Sequence, residues 1–346
     1  MTKHKFLKPF EFTITPSENL PDSFFERLIE FYARQTQGEL KLSFIWENVL
    51  DKFHKRLDVA LKAKNVPEVK FLLDHLYDDF TVFGIDIARF GPTNPIVEKY
   101  GDMVIATANA LGVLRLCSPI QNEGESLNLE TLITSMENVI GCKLTQKGGG
   151  NMPGIKCGDR FISYKLLESL CVWASMKRLF FEGNIWKVLE AGPGTGTLGV
   201  LINEVSSIST YHTIDLPTTS VIQAYLLALQ FTPDLIWLAG EGESLKNKIY
   251  IHGILPSEKL DDSKFDIAIN KDSFPEMPPD IIKGYLDFIA NNLFIRGVFL
   301  SVNQETCQSG QSRVFEIMQS IQGMSLLYRC PFWAREGYVE EAWRKT

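Results

Sequence analysis

Glu190 is followed by Ala191-Gly192-Pro193-Gly194-Thr195-Gly196, and Asp215 closes the next apolar run as Thr-Ile-Asp-Leu-Pro. A glycine-rich turn between an apolar run and a helical one lets a ligand approach the main chain. It also aims backbone N–H groups and the positive end of a helix dipole at that ligand. Gly194, Gly196 and Gly199 satisfy G-x-G-x-x-G, and Asp215 stands at about the distance of a ribose-binding carboxylate. On spacing alone the turn would serve a nicotinamide dinucleotide, as in an NAD(P)-dependent oxidoreductase. Such a turn can also exist only because its helix packs close to the strand.

Further residues with chemical capacity lie downstream. Asp272 and Glu276 fall in Ile-Asn-Lys-Asp-Ser-Phe-Pro-Glu-Met-Pro (269–278), where a carboxylate could take a proton from an acceptor. Asp272-Ser273 before Pro275 would equally serve as turn and helix-cap chemistry. His212 and His252 fall in strand-like runs, where a lone histidine is more often a packing residue than a base. Asp78-Asp79 and Asp261-Asp262 read as solvated pairs. Cysteines at 117, 142, 157, 171, 307 and 330 show no C-x-x-C pair and no histidine at ligand spacing, so reduced thiols are expected and no metal site. Gly148 to Gly154 reads as the most flexible stretch, a linker or a lid, with Arg160 and Tyr164 beyond it placed to meet a cofactor carboxylate or an acceptor.

Positioning these groups requires strands that end where the acids stand. Trp186 to Glu190, Tyr211 to Asp215, Lys248 to Ile254, Phe265 to Asn270 and Gly297 to Asn303 read as strands; Leu198 to Val205, Thr218 to Leu229 and Asp280 to Leu293 read as helices. The alternation predicts a parallel sheet covered on both faces. A helix near Arg313 to Ile321 and extended runs Ser325 to Arg329 and Tyr338 to Trp343 would close it with a hairpin. Upstream, Phe24, Leu28 and Phe31 form one helical stripe, and Phe44, Val49, Phe53, Leu57 and Leu61 a second. Pro67 opens a third helix, and Val104 to Leu116 and Leu127 to Ile140 add more, around an irregular stretch containing Gly84, Gly91 and Pro92. The expected fold is α/β, with a mainly helical N-terminal domain over 1–150 and a Rossmann-like sheet over 151–346.

Composition narrows the function classes. The 346 residues are 45% hydrophobic and 22% charged, ordinary for a globular protein with a real core. A net charge of -7 works against a sequence-independent grip on nucleic acid, which needs cations on phosphates. No apolar run reaches the length of a membrane span, and MTKHKFLKPFEF lacks the apolar segment of a signal peptide, so a cytoplasmic location is the default expectation.

The form Glu190-x-Gly-Pro-Gly-Thr-Gly resembles the first motif of class I methyltransferases. Y-H-T-I-D-L-P-T-T-S-V-I-Q-A-Y-L-L (211–227), I-N-K-D-S-F-P-E-M-P (269–278) and F-L-S-V-N-Q-E (299–305) together resemble the sugar O-methyltransferase family. The resemblance covers roughly 150 to 310. It implies S-adenosylmethionine as methyl donor and a sugar-like hydroxyl as acceptor. It further implies a donor site of Glu190, Gly192, Gly194, Thr195, Gly196, Asp215, Leu216 and Asn270, with Glu190 toward the methionine part and Asp215 toward the ribose. Asp272 and Glu276, on the loop after the fourth strand, become candidate catalytic bases. The helical N-terminal domain would form part of the acceptor pocket, a homodimer contact, or both. A non-catalytic partner protein that keeps the fold is the remaining alternative.

Overall fold

The structure, a computed structural model, describes residues 7–37, 42–78, 81–82, 85–86, 94–114, 127–179, 187–205, 210–242, 248–254, 264–305 and 312–346. Asp79, Gly84, Gly91, Pro92, Cys117, Trp186, Asp261, Asp262 and Cys307 lie outside the described residues.

A short strand β1 (Glu11–Thr15) precedes α1 (Asp22–Gln35), α2 (Phe44–Val49), α3 (Lys55–Lys62), α4 (Val66–Asp74), α5 (Asn94–Ala110) and α6 (Leu129–Ile140). Local chemistry sets their ends. Asn65 and Asn128 accept the N–H groups of Glu68 and Thr131 at the starts of α4 and α6, and Gly141 ends α6 in the left-handed region. Phe24, Phe25, Leu28, Ile29, Phe31 and Tyr32 bury one side of α1. Between α2 and α3 the chain winds through a π-helical turn, Leu50–His54.

Then follow β2 (Met152–Cys157), β3 (Arg160–Ile162), α7 (Tyr164–Leu179), β4 (Lys187–Ala191), α8 (Thr197–Val205), β5 (Thr210–Ile214), α9 (Pro217–Gln230), β6 (Ile236–Leu238) and β7 (Ile249–Ile251). The chain continues through β8 (Phe265–Lys271), α10 (Pro279–Asn292), β9 (Leu293–Gln304), α11 (Val314–Met318), β10 (Met324–Pro331) and β11 (Tyr338–Lys345). The main sheet has the order β10-β11-β9-β8-β4-β5-β7-β6, and only β11 runs against its neighbours. The expected α/β fold, with a mostly parallel central sheet, is present.

Alternating side chains feed two cores, as strand geometry requires. Val188, Ile267 and Leu300 pack with α7, α8 and α9 in the core that continues into the N-terminal helices. Leu189, Ala268 and Phe299 pack with α10 and α11 in the other. From β4 the chain passes to β5, out to β6 at the edge and back to β7, then crosses to β8 on the opposite side of β4, so the strand order reverses between β4 and β8. Ligands of open α/β sheets bind in the crevice beyond the strand ends at such a reversal.

Two expectations need correction. The junction at 150 is crossed by a three-stranded sheet, β1-β2-β3, in which Glu11 to Thr15 pair with Met152 to Lys156. The chain is therefore not divided at 150, and one apolar core continues across that point. The Gly148 to Gly154 stretch is neither linker nor lid, because it is tightly packed. A Cβ on Gly148 would lie 2.4 Å from Thr15 Cβ, one on Gly149 would lie 2.2 Å from Leu229 Cδ1, and one on Gly154 would lie 2.7 Å from the Phe161 ring. These glycines are demanded by close approach, not by freedom to move.

Candidate functional site

At the β4–β8 reversal a cavity of about 190 Å³ opens beyond the strand ends. The glycine-rich turn, the end of β5, the loop after β8, α2, α7 and the β10–β11 turn all contribute to its wall.

The turn takes its shape from three positive-φ glycines, 192, 194 and 196. A Cβ on Gly192 would lie 2.0 Å from Ser273 Oγ, so the loop after β8 seats directly on the turn. Tyr211 also touches the turn's helix closely, since a Cβ on Gly199 would lie 2.5 Å from its ring. Its hydroxyl donates to Glu190 Oε2. Glu190 is buried, and burial pushes its carboxyl up to about 7, against the Tyr211 hydrogen bond and the charges of Lys271 and Lys165.

Asp215 stands just past β5. Its Oδ2 accepts the Gly194 N–H at 3.1 Å and its Oδ1 accepts the Leu216 N–H at 2.7 Å. Burial raises this carboxyl too, to about 7, with both backbone bonds pulling it down. Glu190 and Asp215 thus flank the turn as two carboxylates in a poorly solvated site.

Asn270 is fully buried and works below the wall. Its Nδ2 donates to Ala191 O (2.8 Å) and Ser273 Oγ (2.6 Å), and its Oδ1 accepts from Asn303 (2.9 Å). This bridge ties β4, β9 and the loop after β8 together. Glu190, Gly192, Gly194, Thr195, Asp215, Asp272 and Glu276 line the cavity; Asn270, Leu216 and Gly196 do not. Leu216 contributes its N–H to Asp215, and Gly196 shapes the turn, where a Cβ would lie 2.8 Å from Gln223 Cγ.

The two candidate bases are unequal. Asp272, at φ 72, sits in the left-handed region that bare glycine prefers, a conformation held only by surrounding contacts. The Asp272 N–H donates to Val302 O at 3.1 Å, and Arg335 Nη1 reaches Asp272 Oδ2 at 2.6 Å and Glu168 Oε1 at 3.5 Å. Although burial works against its charge, Glu168 is held well below the carboxylate range by Lys165, Lys271 and Arg335. Lys165 and Lys271 meet it at 3.0 and 2.6 Å. Asp272 is thereby committed to a cation. Glu276 instead accepts the Trp46 indole N–H at 2.9 Å, and burial pushes its carboxyl up to about 7, near the working range of a general base at neutral pH.

Trp46, Asp86, Lys165, Ser169, Arg335 and Tyr338 also line the cavity, and sequence reasoning missed them. The Gly148–Gly154 reading had singled out Arg160 and Tyr164. Arg160 instead pairs with Glu137 at 2.7 and 2.8 Å and bonds Thr134, away from the cavity. Tyr164 packs edge-on against Tyr100. His212 and His252 do not line the cavity either; their rings stack with centroids 5.3 Å apart, and burial holds both below the ordinary imidazole range.

No protein-family model matches the chain, and no curated protein matches it. Solved structures do, over about half of its length. A TehB-like SAM-dependent methyltransferase from Corynebacterium glutamicum aligns at TM-score 0.38 and 15% identity, over 52% of this chain and 87% of that one. An O-methyltransferase family protein from Burkholderia thailandensis aligns at 0.37 and 11%, over 53% and 58%. The N-methyltransferase NodS from Bradyrhizobium japonicum, solved with S-adenosyl-L-homocysteine, aligns at 0.33 and 15%, over 47% and 79%. At such scores the donor and acceptor of this chain rest on its own side chains.

Proposed function

We propose that the chain is an S-adenosylmethionine-dependent O-methyltransferase acting on a hydroxyl of a sugar-like small molecule. The observation that carries this reading is the pair of carboxylates, buried Glu190 and half-buried Asp215, on either side of the glycine-rich turn, with Asp215 already accepting the Gly194 N–H. Wherever they are ionised these carboxylates would repel a dinucleotide pyrophosphate, which would also find the Gly194 N–H occupied. A cationic sulfonium and ammonium would meet opposite charge.

The residues present fit such a donor. Gly192 and Gly194 offer bare main chain along the cavity, Asp215 would hold ribose hydroxyls, and Glu190 would face the amino end. When bound, S-adenosylmethionine supplies an activated methyl group for in-line displacement. The chain's own task is alignment of the acceptor oxygen and removal of one proton. Glu276, uncommitted to any cation at hydrogen-bond distance among the described residues and raised to about 7 by burial, takes the role of base. Asp272, tied to Arg335, holds the loop that presents Glu276.

Parallel calorimetric titrations with S-adenosylhomocysteine and with NAD+ and NADP+ test the donor. Binding of S-adenosylhomocysteine alone is expected. Binding of a nicotinamide cofactor without it overturns the reading in favour of an oxidoreductase.

A further inference from the structure

Trp46 reaches the cavity from the N-terminal helices, more than two hundred residues before the loop it touches. It lies on α2, is 9% exposed, and donates its indole N–H to Glu276 Oε2. The helix behind it is irregular: the π-helical turn Leu50–His54 replaces regular winding, a device that recurs at functional positions. His54 of that turn is fully buried and packs edge-on against the Trp46 ring, centroids 6.2 Å apart. The ring is thus backed by one group while its N–H engages another.

An indole has one donor and no acceptor, so its bond favours Glu276 as an ionised acceptor over the carboxylic acid. The charged groups facing Glu276 are Asp272 on its own loop, Lys165 on α7 and Asp215 beyond β5. We infer that Trp46 is the positioning residue of the Glu276 base: its indole N–H fixes one carboxylate oxygen and biases the group toward the ionised form that can accept a proton.

The role follows from the balance at that carboxyl. Burial and Asp272 push Glu276 up, and the Trp46 bond and Lys165 pull it back. With the indole N–H gone, the upward influences prevail and Glu276 holds its proton to higher pH. The inference rests on the reading of Glu276 as the base, but its test needs no acceptor.

In the wild-type chain with 15N-labelled tryptophan, the Trp46 indole signal is the one that vanishes in Trp46→Phe. It is expected to titrate with a midpoint near that of Glu276, and to stop titrating in Glu276→Gln. With 13C-carboxyl glutamate, Trp46→Phe is expected to move the Glu276 midpoint upward by about one pH unit. A Trp46 signal that is flat with pH, or that titrates unchanged in Glu276→Gln, overturns the inference; so does a Glu276 midpoint unmoved in a folded Trp46→Phe. If the wild type fails to bind S-adenosylhomocysteine, the methyltransferase reading falls, whatever the carboxyl titration shows.

Discussion

Asp215 Oδ2 takes the Gly194 N–H across 3.1 Å, joining the end of one strand to the glycine turn that leaves its neighbour. The same carboxylate both shapes the turn and faces the cavity, so a single substitution acts on two levels.

Asp215→Ala should raise the dissociation constant of S-adenosylhomocysteine about tenfold or more, from ~1.5–3 kcal/mol for hydrogen bonds to a charged group. Calorimetry reads this directly. An unchanged constant would mean that Asp215 is misassigned.

Donor affinity should depend on pH with a defined sign. Burial raises Glu190 and Asp215 to about 7 each, so both carry protons below neutrality and lose them as pH rises through about 7. The ionised forms attract a cationic donor, so S-adenosylmethionine should bind more tightly at pH 8 than at pH 6. Affinity that is level or falls over that interval would contradict the arrangement.

Gly192→Ala places a methyl group 2.0 Å from Ser273 Oγ at a backbone φ of 67. Overpacking and left-handed strain each cost about 1–3 kcal/mol, so the melting midpoint should drop by several degrees. Ser273→Gly alone removes the Oγ bond to Asn270, so the double variant should lose less than the sum of the two single losses, by the overpacking share. Calorimetric melting of both single variants and of the double variant reads that difference.

Arg160→Ala should leave S-adenosylhomocysteine affinity unchanged, since the guanidinium is bound to Glu137 outside the cavity. The side chains of the pair are 13% and 11% exposed, so stability should fall by about 1–3 kcal/mol, between the values for surface and buried pairs. Urea unfolding measures that loss; weakened binding would return Arg160 to the site.

Seven of the eight strands of the main sheet were legible as apolar runs stopped by turn residues, with an acid at the stop in two of them, at Glu190 and Asp215; the three-residue β6 is too short to show a pattern. Trp46 was not legible, because on a helix read only for its apolar stripe an aromatic looks like packing. Lys165 was hidden by the apolar sequence around it: Leu166, Leu167, Leu170, Cys171 and Val172 are buried on α7, a helix that alternation of strands did not reveal. Arg335 belongs to a hairpin turn, where charge is normally solvated. These three converge only through the fold. Gly148 and Gly149 misled for a different reason, since composition reports backbone freedom and the room left by Thr15 and Leu229 is a tertiary quantity.

The pairing of β1 with β2 has a bearing on chain exchange and on folding. A graft that swaps the N-terminal helices between proteins of this kind must carry the β2–β3 hairpin with them, because a cut at 150 leaves β1 without its partner. It also makes the small sheet a contact of long sequence separation, closing only after the intervening chain is available. Such closure slows folding and leaves β1 a bare edge until it occurs, so low temperature and dilute refolding should favour recovery of the native chain.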